Sequence, residues 1–483
     1  MKTLQTNKYC ARSGVAIILP LLGLFYASAG AQVPAKKPAV PAAKVTPPPK
    51  VKEPPKVVKP PVKPNGPGPK PPTGISTEQK KGGKEIGREQ HPPLKPPPVT
   101  TKHLTGGGTV QMRGDKVAKL HDSNRGLTIN HQLTGRTRVV SEQGGKRIVA
   151  ERGGVGSVQV PFRSGRQEFV QRRNVYNGRQ WDSYYAHTSY HNAELNYYTP
   201  AHYYPAAYYG YAYNAWSAPV PYAWGWSGTP SSQYYGAFFT PSQSYTSPPA
   251  WLTDYLLSTT LAAAYQANPS AAAPAGAPPI TPQVKTLITG EVQRQIALEN
   301  VEAQSGTQTD ASLSSVERDF ADKIPHIFVA GSDLDVIDNE GSECSITEGD
   351  ALQLSEPPPT NAQQAKLVVL ASKGGYECKI ASVVAVGIED LQEMQNHMRE
   401  TIDAGLEAMR TNKALPRPPL SAGGAPVNAA FLAAAPPPDP NAATEINQQL
   451  QGSDQAERTA MAQLAQQPQS ARNAANPPGS PQN

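Results

Sequence analysis

From Lys102 to Gly178 short alternations of apolar and polar residues are divided by Gly turns: LTINHQL, TGRT, RVVSEQ, GGKRIVAERGG, VGSVQVPF and RSGRQEFVQRRNVYNGRQW. The runs recur roughly every 8–12 residues, and a period of two between tight turns predicts an antiparallel meander. Val139, Ile148, Val149, Val158, Val160, Phe162, Phe169, Val170 and Val175 are expected to fill its apolar face. From Trp181 to Pro249, Pro and Gly recur too often for long helices. At WLTDYLLSTTLAAAYQA the period changes, and Trp251, Leu252, Tyr255, Leu256 and Thr259 share one helical face.

An Ala/Pro linker is expected over 267–280. An amphipathic helix is expected over 281–304, with Thr281 as N-cap, Pro282 at the first helical position, and Val284, Leu287, Ile288, Val292 and Ile296 along one face. Ile327 to Ile388 returns to β-type runs, HIFVAGSDLDVID, SECSITEGDALQLS, AKLVVLASK and ECKIASVVAVGI, and a helix follows from Leu391. The expected fold class is mainly β with a few helices (α+β). Its parts are a basic β-rich and Tyr/Trp-rich domain over 102–266 and an acidic small β domain over 324–410, read as an SH3-like barrel of about five strands. Disorder is expected for a Pro/Lys-rich linker over 32–101 and an Ala/Pro/Gln-rich tail over 411–483, relieved only by a weak helix near Ala456 to Gln466.

The N-terminus changes the picture. Lys2, Lys8 and Arg12 precede an apolar run from Gly14 to Phe25, and small-residue cleavage patterns end at Ala29 and Ala31. This predicts a signal peptide over 1–31 and an exported chain, periplasmic, associated with the outer envelope or extracellular, with no membrane span in its mature form. Cleavage removes Cys10. The two cysteines left, Cys344 and Cys378, each open a β-type run, and a disulfide between them is expected.

Charge is divided along the chain. Lys102 to Arg179 carries 15 Lys/Arg against 5 Asp/Glu, whereas Glu291 to Met409 carries 22 Asp/Glu against 7 Lys/Arg, so the net +7 hides a basic front and an acidic back. The Lys/Pro arm is expected to lie on a cell wall or another anionic envelope surface. Export and the lack of recognition-module motifs argue against nucleic acid as a partner. No cofactor is implied.

Aromatic residues are the most concentrated feature, since 18 of 21 Tyr and all 5 Trp lie between Tyr176 and Tyr265. Such rings serve as the core of an irregular domain, as a platform for the apolar faces of sugars, or as a self-association surface. Tyr208, Tyr209, Tyr211, Tyr213, Trp216, Tyr222, Trp224 and Trp226 are the candidate binding surface. No catalytic set stands out. His187 and His191 bracket HTSYH with Asp182 and Glu194 nearby, but Thr188 occupies the position where a metalloprotease helix has its Glu, which leaves His187, His191 and Glu194 as weak metal candidates. The acidic run from Asp333 to Gly341 lacks the Gly of a calcium loop, and no GxSxG elbow occurs.

The stretches AYYGYAYNAWSAPVPYAWGWSG, WLTDYLLSTTLAAAYQA, FVAGSDLDVIDNEGSECSITEGDALQLS and VAVGIEDLQEMQNHMRETIDAGLEAM, in that order, resemble a group of uncharacterised exported bacterial proteins with a Tyr/Trp-rich tract and a C-terminal small β domain. The resemblance implies export and a shared globular unit from about Gly126 to Met409, and transfers no functional residue. The expected role is therefore a non-enzymatic envelope protein that binds cell-wall glycan or protein. An exported enzyme on a cell-wall or polysaccharide substrate, or a self-assembling surface or matrix component, are the alternatives.

Overall fold

The computed structural model describes residues 99–268, 276–305, 311–322, 324–354, 356–419 and 422–466, all within a compact unit from Gly87 to Asn483. The expected signal peptide, the arm up to residue 98 and the last seventeen residues lie outside the described residues.

Ten strands form one antiparallel sheet in strictly sequential order: β1 (Val99–His103), β2 (Thr109–Arg113), β3 (Lys116–Asp122), β4 (Leu127–His131), β5 (Thr137–Gln143), β6 (Lys146–Glu151), β7 (Val155–Ser164), β8 (Gln167–Tyr176), β9 (Arg179–Tyr190) and β10 (Ala193–Tyr198). The meander thus continues two strands into the Tyr-rich tract. Its hairpin chemistry is local: Asn177 and Gly178 both take positive φ (47° and 74°), the two-residue turn that matches strand twist, and Tyr176 pairs with Arg179 across it.

Side-chain parity sorts the two faces. Val110, Leu120, Ile129, Val139, Ile148, Val158 and Val175 pack together on one face. Val149 and Val170, expected there too, point the other way, because neighbours along a strand alternate: Val149 follows Ile148, and Val170 follows Phe169. The covered face is closed by the chain's return. Three short β elements occur between the two sheets in sequence, β11 (His202–Tyr203) and the pair β12 (Val220–Pro221) with β13 (Ser244–Tyr245), and a fourth in the tail. β20 (Val427–Asn428) pairs with β11, and Phe431 stacks on Phe169 at 4.7 Å. Helix α8 (Ala442–Gln466) lays Ala442, Ile446, Ala456, Ala460 and Leu464 on the sheet. Where the sequence leads us to expect a tail without fixed structure from 411 apart from a weak helix near Ala456 to Gln466, the helix starts fourteen residues earlier, at Ala442, and is packed on the sheet. Its stripe is mostly Ala and too weak to hold a helix alone, and the apolar sheet face supplies the partner.

The second sheet comprises β14 (His326–Val329), β15 (Leu334–Asp338), β16 (Glu343–Ile346), β17 (Ala351–Leu354), β18 (Gln364–Ala371) and β19 (Val383–Gly387), in the order β14-β17-β18-β19-β15-β16. Its end strands β14 and β16 do not pair with each other, so the expected SH3-like barrel is corrected to an open sheet of six strands. Closure is replaced by helices: Val316 and Phe320 of α6 (Val316–Ala321) and Leu391 and Met394 of α7 (Ile388–Thr411) join the core of this sheet. Cys344 on β16 is bonded to Cys378, 34 residues on, with Cα atoms 4.9 Å apart.

Between the sheets lie α1 (Ala206–Tyr213), α2 (Pro230–Tyr235), α3 (Pro248–Ala267), α4 (Pro282–Gln304) and the short α5 (Ala311–Ser314). Helices α3 and α4 start as their sequences dictate, on Ser247 and Thr281 caps with Pro in the first turn. One apolar cluster runs from Tyr208 and Trp251 through Ile288 and Ile296 to Ile327 of β14 and Met398 of α7. The aromatic tract, the 281–304 helix and the acidic region therefore share a single core. Basic and acidic regions dock through ion pairs: Arg113 with Glu343 (2.6 Å) and Asp335 (3.3 Å), Arg136 with Asp333 (3.2 Å) and Glu348, and Arg172 with Glu393 (2.9 Å).

Where α4 meets α7, Arg399 is wholly buried. One of its nitrogens donates to both oxygens of Glu302 (2.9 and 2.8 Å), and another to the carbonyls of Tyr198 and Ser314 (3.1 and 3.2 Å). Asp403 accepts from the Tyr198 hydroxyl at 2.8 Å, while both Glu299 oxygens are buried with no donor among the described residues. Burial, reinforced by Asp403, holds the Glu299 carboxyl well above the usual range, and burial pushes Asp403 up to about 6.

Candidate functional site

The eight candidate rings separate by position. Tyr208 and Tyr209 are core side chains, with the Tyr208 hydroxyl donating to the Leu406 carbonyl at 2.6 Å. Tyr211 and Trp216 are partly buried and bonded to each other at 3.3 Å. Tyr213 is 41% exposed at the end of α1, away from the rest. Only Tyr222, Trp224 and Trp226 converge, on a groove of about 640 Å³ whose other wall is Trp251, Tyr255 and Tyr265 of α3.

The groove is built from a ring stack. Trp224 lies on Trp251 (centroids 4.8 Å, planes 26° apart), and Trp251 lies on Tyr255 (5.4 Å, 20°). Tyr222 meets Trp224 edge-on at 4.9 Å. The i,i+4 spacing of Trp251 and Tyr255 on α3 puts both rings on one face, and capping by Ser247 with Pro248 and Pro249 fixes where that face starts. Trp224 is held by a polar relay. Its indole N–H donates to the Tyr245 hydroxyl, which donates to Asp254 at 2.7 Å, and Asp254 is paired with Lys285 at 2.7 Å. Burial, first, and the Asp254 charge keep the Tyr245 phenol above its usual range, so the relay stays protonated.

The polar part of the remaining lining is hydroxyl and amide, Thr229, Ser231, Ser258, Thr259, Gln266 and Asn412, with no Asp, Glu, His, Lys or Arg among the described residues that form the groove. Trp251 is 1% exposed, and its indole N–H finds no acceptor among the described residues. A buried donor without a partner costs about 1–3 kcal/mol, a penalty that the packing of Trp251 between Trp224 and Tyr255 has to outweigh.

The His and acidic candidates do not assemble into a centre. Asp182 pairs with Arg173 at 3.2 Å, and five residues of strand, roughly 17 Å, part it from His187. His187 contacts Glu194 at 3.0 Å and Asn196 at 3.0 Å. His191 sits in the β9–β10 turn at φ 53°, its ring against Tyr190 at 4.3 Å. Among the described residues no group of three or more His, Cys, Asp or Glu is placed to hold a metal ion, and no helix is long and apolar enough to cross a membrane.

Sequence reasoning named three of the groove rings and read Trp251 and Tyr255 only as a helix face. The Tyr245–Asp254–Lys285 relay was missed, and an Asp inside an apolar helical run was the signal for it. No family model, characterised protein or solved structure matches this chain.

Proposed function

We propose that this chain is an exported, non-enzymatic protein of the bacterial cell envelope whose aromatic groove binds a neutral glycan. The observation that carries the reading is the Trp224–Trp251–Tyr255 stack in a groove with hydroxyl and amide side chains and no charge. Flat rings complement the C–H faces of a sugar, hydroxyls and amides complement its edges, and a charged ligand would find no counter-ion. Export is supported by the signal-type N-terminus and by the resemblance to exported proteins, and attachment to an anionic surface by the nine Lys between Val33 and Pro72.

The test is co-sedimentation with purified peptidoglycan over a salt series, comparing the mature chain, a chain lacking residues 33–101, and Trp224→Ala. Binding through the groove survives salt and loss of the arm, and falls at least tenfold in Trp224→Ala that retains its circular dichroism. Unchanged binding by a folded Trp224→Ala protein, or binding that disappears with the arm and with salt, overturns the glycan reading.

A further inference from the structure

On the face of the meander that α8 leaves open lies a second cavity, a cleft of about 700 Å³ between the sheet and the N-terminal half of α7. Strand parity sets its floor. Lys119, Arg138, Arg147 and Arg172 alternate there with side chains buried under α8. Its roof is α7, which presents Glu389, Asp390, Glu393 and Glu400. The cleft therefore has a cationic wall facing an anionic one.

Part of this charge is already engaged. Arg172 grips Glu393 through two bonds of 2.9 and 3.0 Å, and Glu400 accepts from the Tyr185 hydroxyl at 3.0 Å. Arg147 reaches Glu142 at 3.1 Å on an exposed rim. Lys119, Arg138 and Asp390 are different, because their side chains make no hydrogen bond or direct ion pair among the described residues. They still sense one another: desolvation raises the Asp390 carboxyl although the residue is exposed at the rim, Arg138 and Lys119 oppose that rise, and Glu389 and Glu393 add to it. Opposite charges in reach of each other would close into a pair if the walls could approach. They are held apart: Asn396 of α7 donates to the Asn196 carbonyl at 2.6 Å and accepts from the Tyr198 amide at 2.8 Å, which fixes the distance of helix from sheet. Between the walls, Val140 and Val149 of the sheet and Met394 of α7 provide apolar surface.

We propose that this cleft binds a zwitterionic molecule of the amino acid or short peptide class, its carboxylate at Arg138 and Lys119 and its ammonium at Asp390. An anion alone would satisfy the floor and be repelled by the roof, and a cation alone the reverse. A molecule with both charges neutralises both walls through charge-assisted hydrogen bonds, and its side chain meets the Val140–Val149–Met394 surface.

Isothermal titration calorimetry of the purified protein with alanyl-alanine tests this, beside its N-acetylated and C-amidated forms. Saturable binding is expected, weakened at least tenfold by blocking either end. Arg138→Gln, which leaves Lys119 in place, should narrow the gap between the free and the C-amidated dipeptide at least threefold, and Asp390→Asn should bind the free and the N-acetylated one alike. Neither side chain is bonded to the fold, so both variants should keep the wild-type melting temperature. The proposal is overturned by no binding up to about 10 mM dipeptide, by equal binding of free and blocked forms, or by wild-type selectivity in both variants.

Discussion

Replacing Arg399 by Met tests the buried charge cluster at the α4–α7 contact. The change removes a fully buried guanidinium that is paired with Glu302 and favours the charged forms of Glu299 and Asp403. Breaking a buried ion pair from one side costs about 3–5 kcal/mol, because the remaining charge stays buried and uncompensated. That is a large part of the 5–15 kcal/mol typical of a folded protein. With a urea slope of about 3 kcal/mol per M, the unfolding midpoint should fall by about 1–1.7 M at pH 8. The loss depends on pH with a definite sign. In the native protein Glu299 and Asp403 hold protons at pH values where the unfolded chain has released them, Asp403 up to about 6. Their burial therefore costs nothing below the ordinary carboxylate range, and stability falls as pH rises through their native values. Without Arg399 these carboxyls bind protons still more tightly, so the variant should approach wild type at pH 5 and diverge at pH 8. Urea titrations at both pH values, followed by Tyr and Trp fluorescence, make the comparison. Equal midpoints at pH 8, or a larger loss at pH 5 than at pH 8, would refute this account of the cluster.

His326, between Glu291 (3.2 Å) and Asp322 (2.8 Å), is shifted upward: burial opposes its charge, but hydrogen bonds and charges from Glu291, Asp319 and Asp322 outweigh it. Its contribution should be complete below pH 6.5 and be lost as pH rises through the native value, and the imidazole proton resonances should titrate above 6.5. Cys344→Ala with Cys378→Ala should cost about 3–4 kcal/mol for a loop of this length, read as a lower midpoint that no longer responds to reductant. Ile446→Ala should loosen α8 rather than the meander, with hydrogen exchange accelerating in 442–466 first and the strands least.

Local signals made much of the fold legible. Gly-bounded alternation gave the meander, Ser and Thr caps followed by Pro gave the starts of α3 and α4, and the last two cysteines gave the bridge. What escaped depends on partners distant in sequence. Val149 looks as apolar as Ile148, and only strand parity sends it to the other face. The Ala stripe of α8 showed only its last part, near Ala456 to Gln466, because it has too little hydrophobicity to stand out further until the meander is there to receive it. Tyr208 and Trp224 are alike in composition and neighbourhood, yet one is sealed under α7 and the other rims a groove. The charged cleft was half visible, as a basic front and an acidic back. That opposite charges would dock at some points and stay apart at others follows from the fixed helix–sheet distance, which the sequence does not express.

The return of the C-terminus also sets an order of events during synthesis. Val110 and Leu464, which meet in one cluster, are roughly 350 residues apart, a separation that makes their contact slow to form. The first sheet to leave the ribosome waits with this apolar face bare until residues 442–466 have been made. An early sheet that cannot be finished early resists premature locking and offers its open face to chaperones in the interval. A chain cut short of α8 leaves this apolar face of the sheet uncovered.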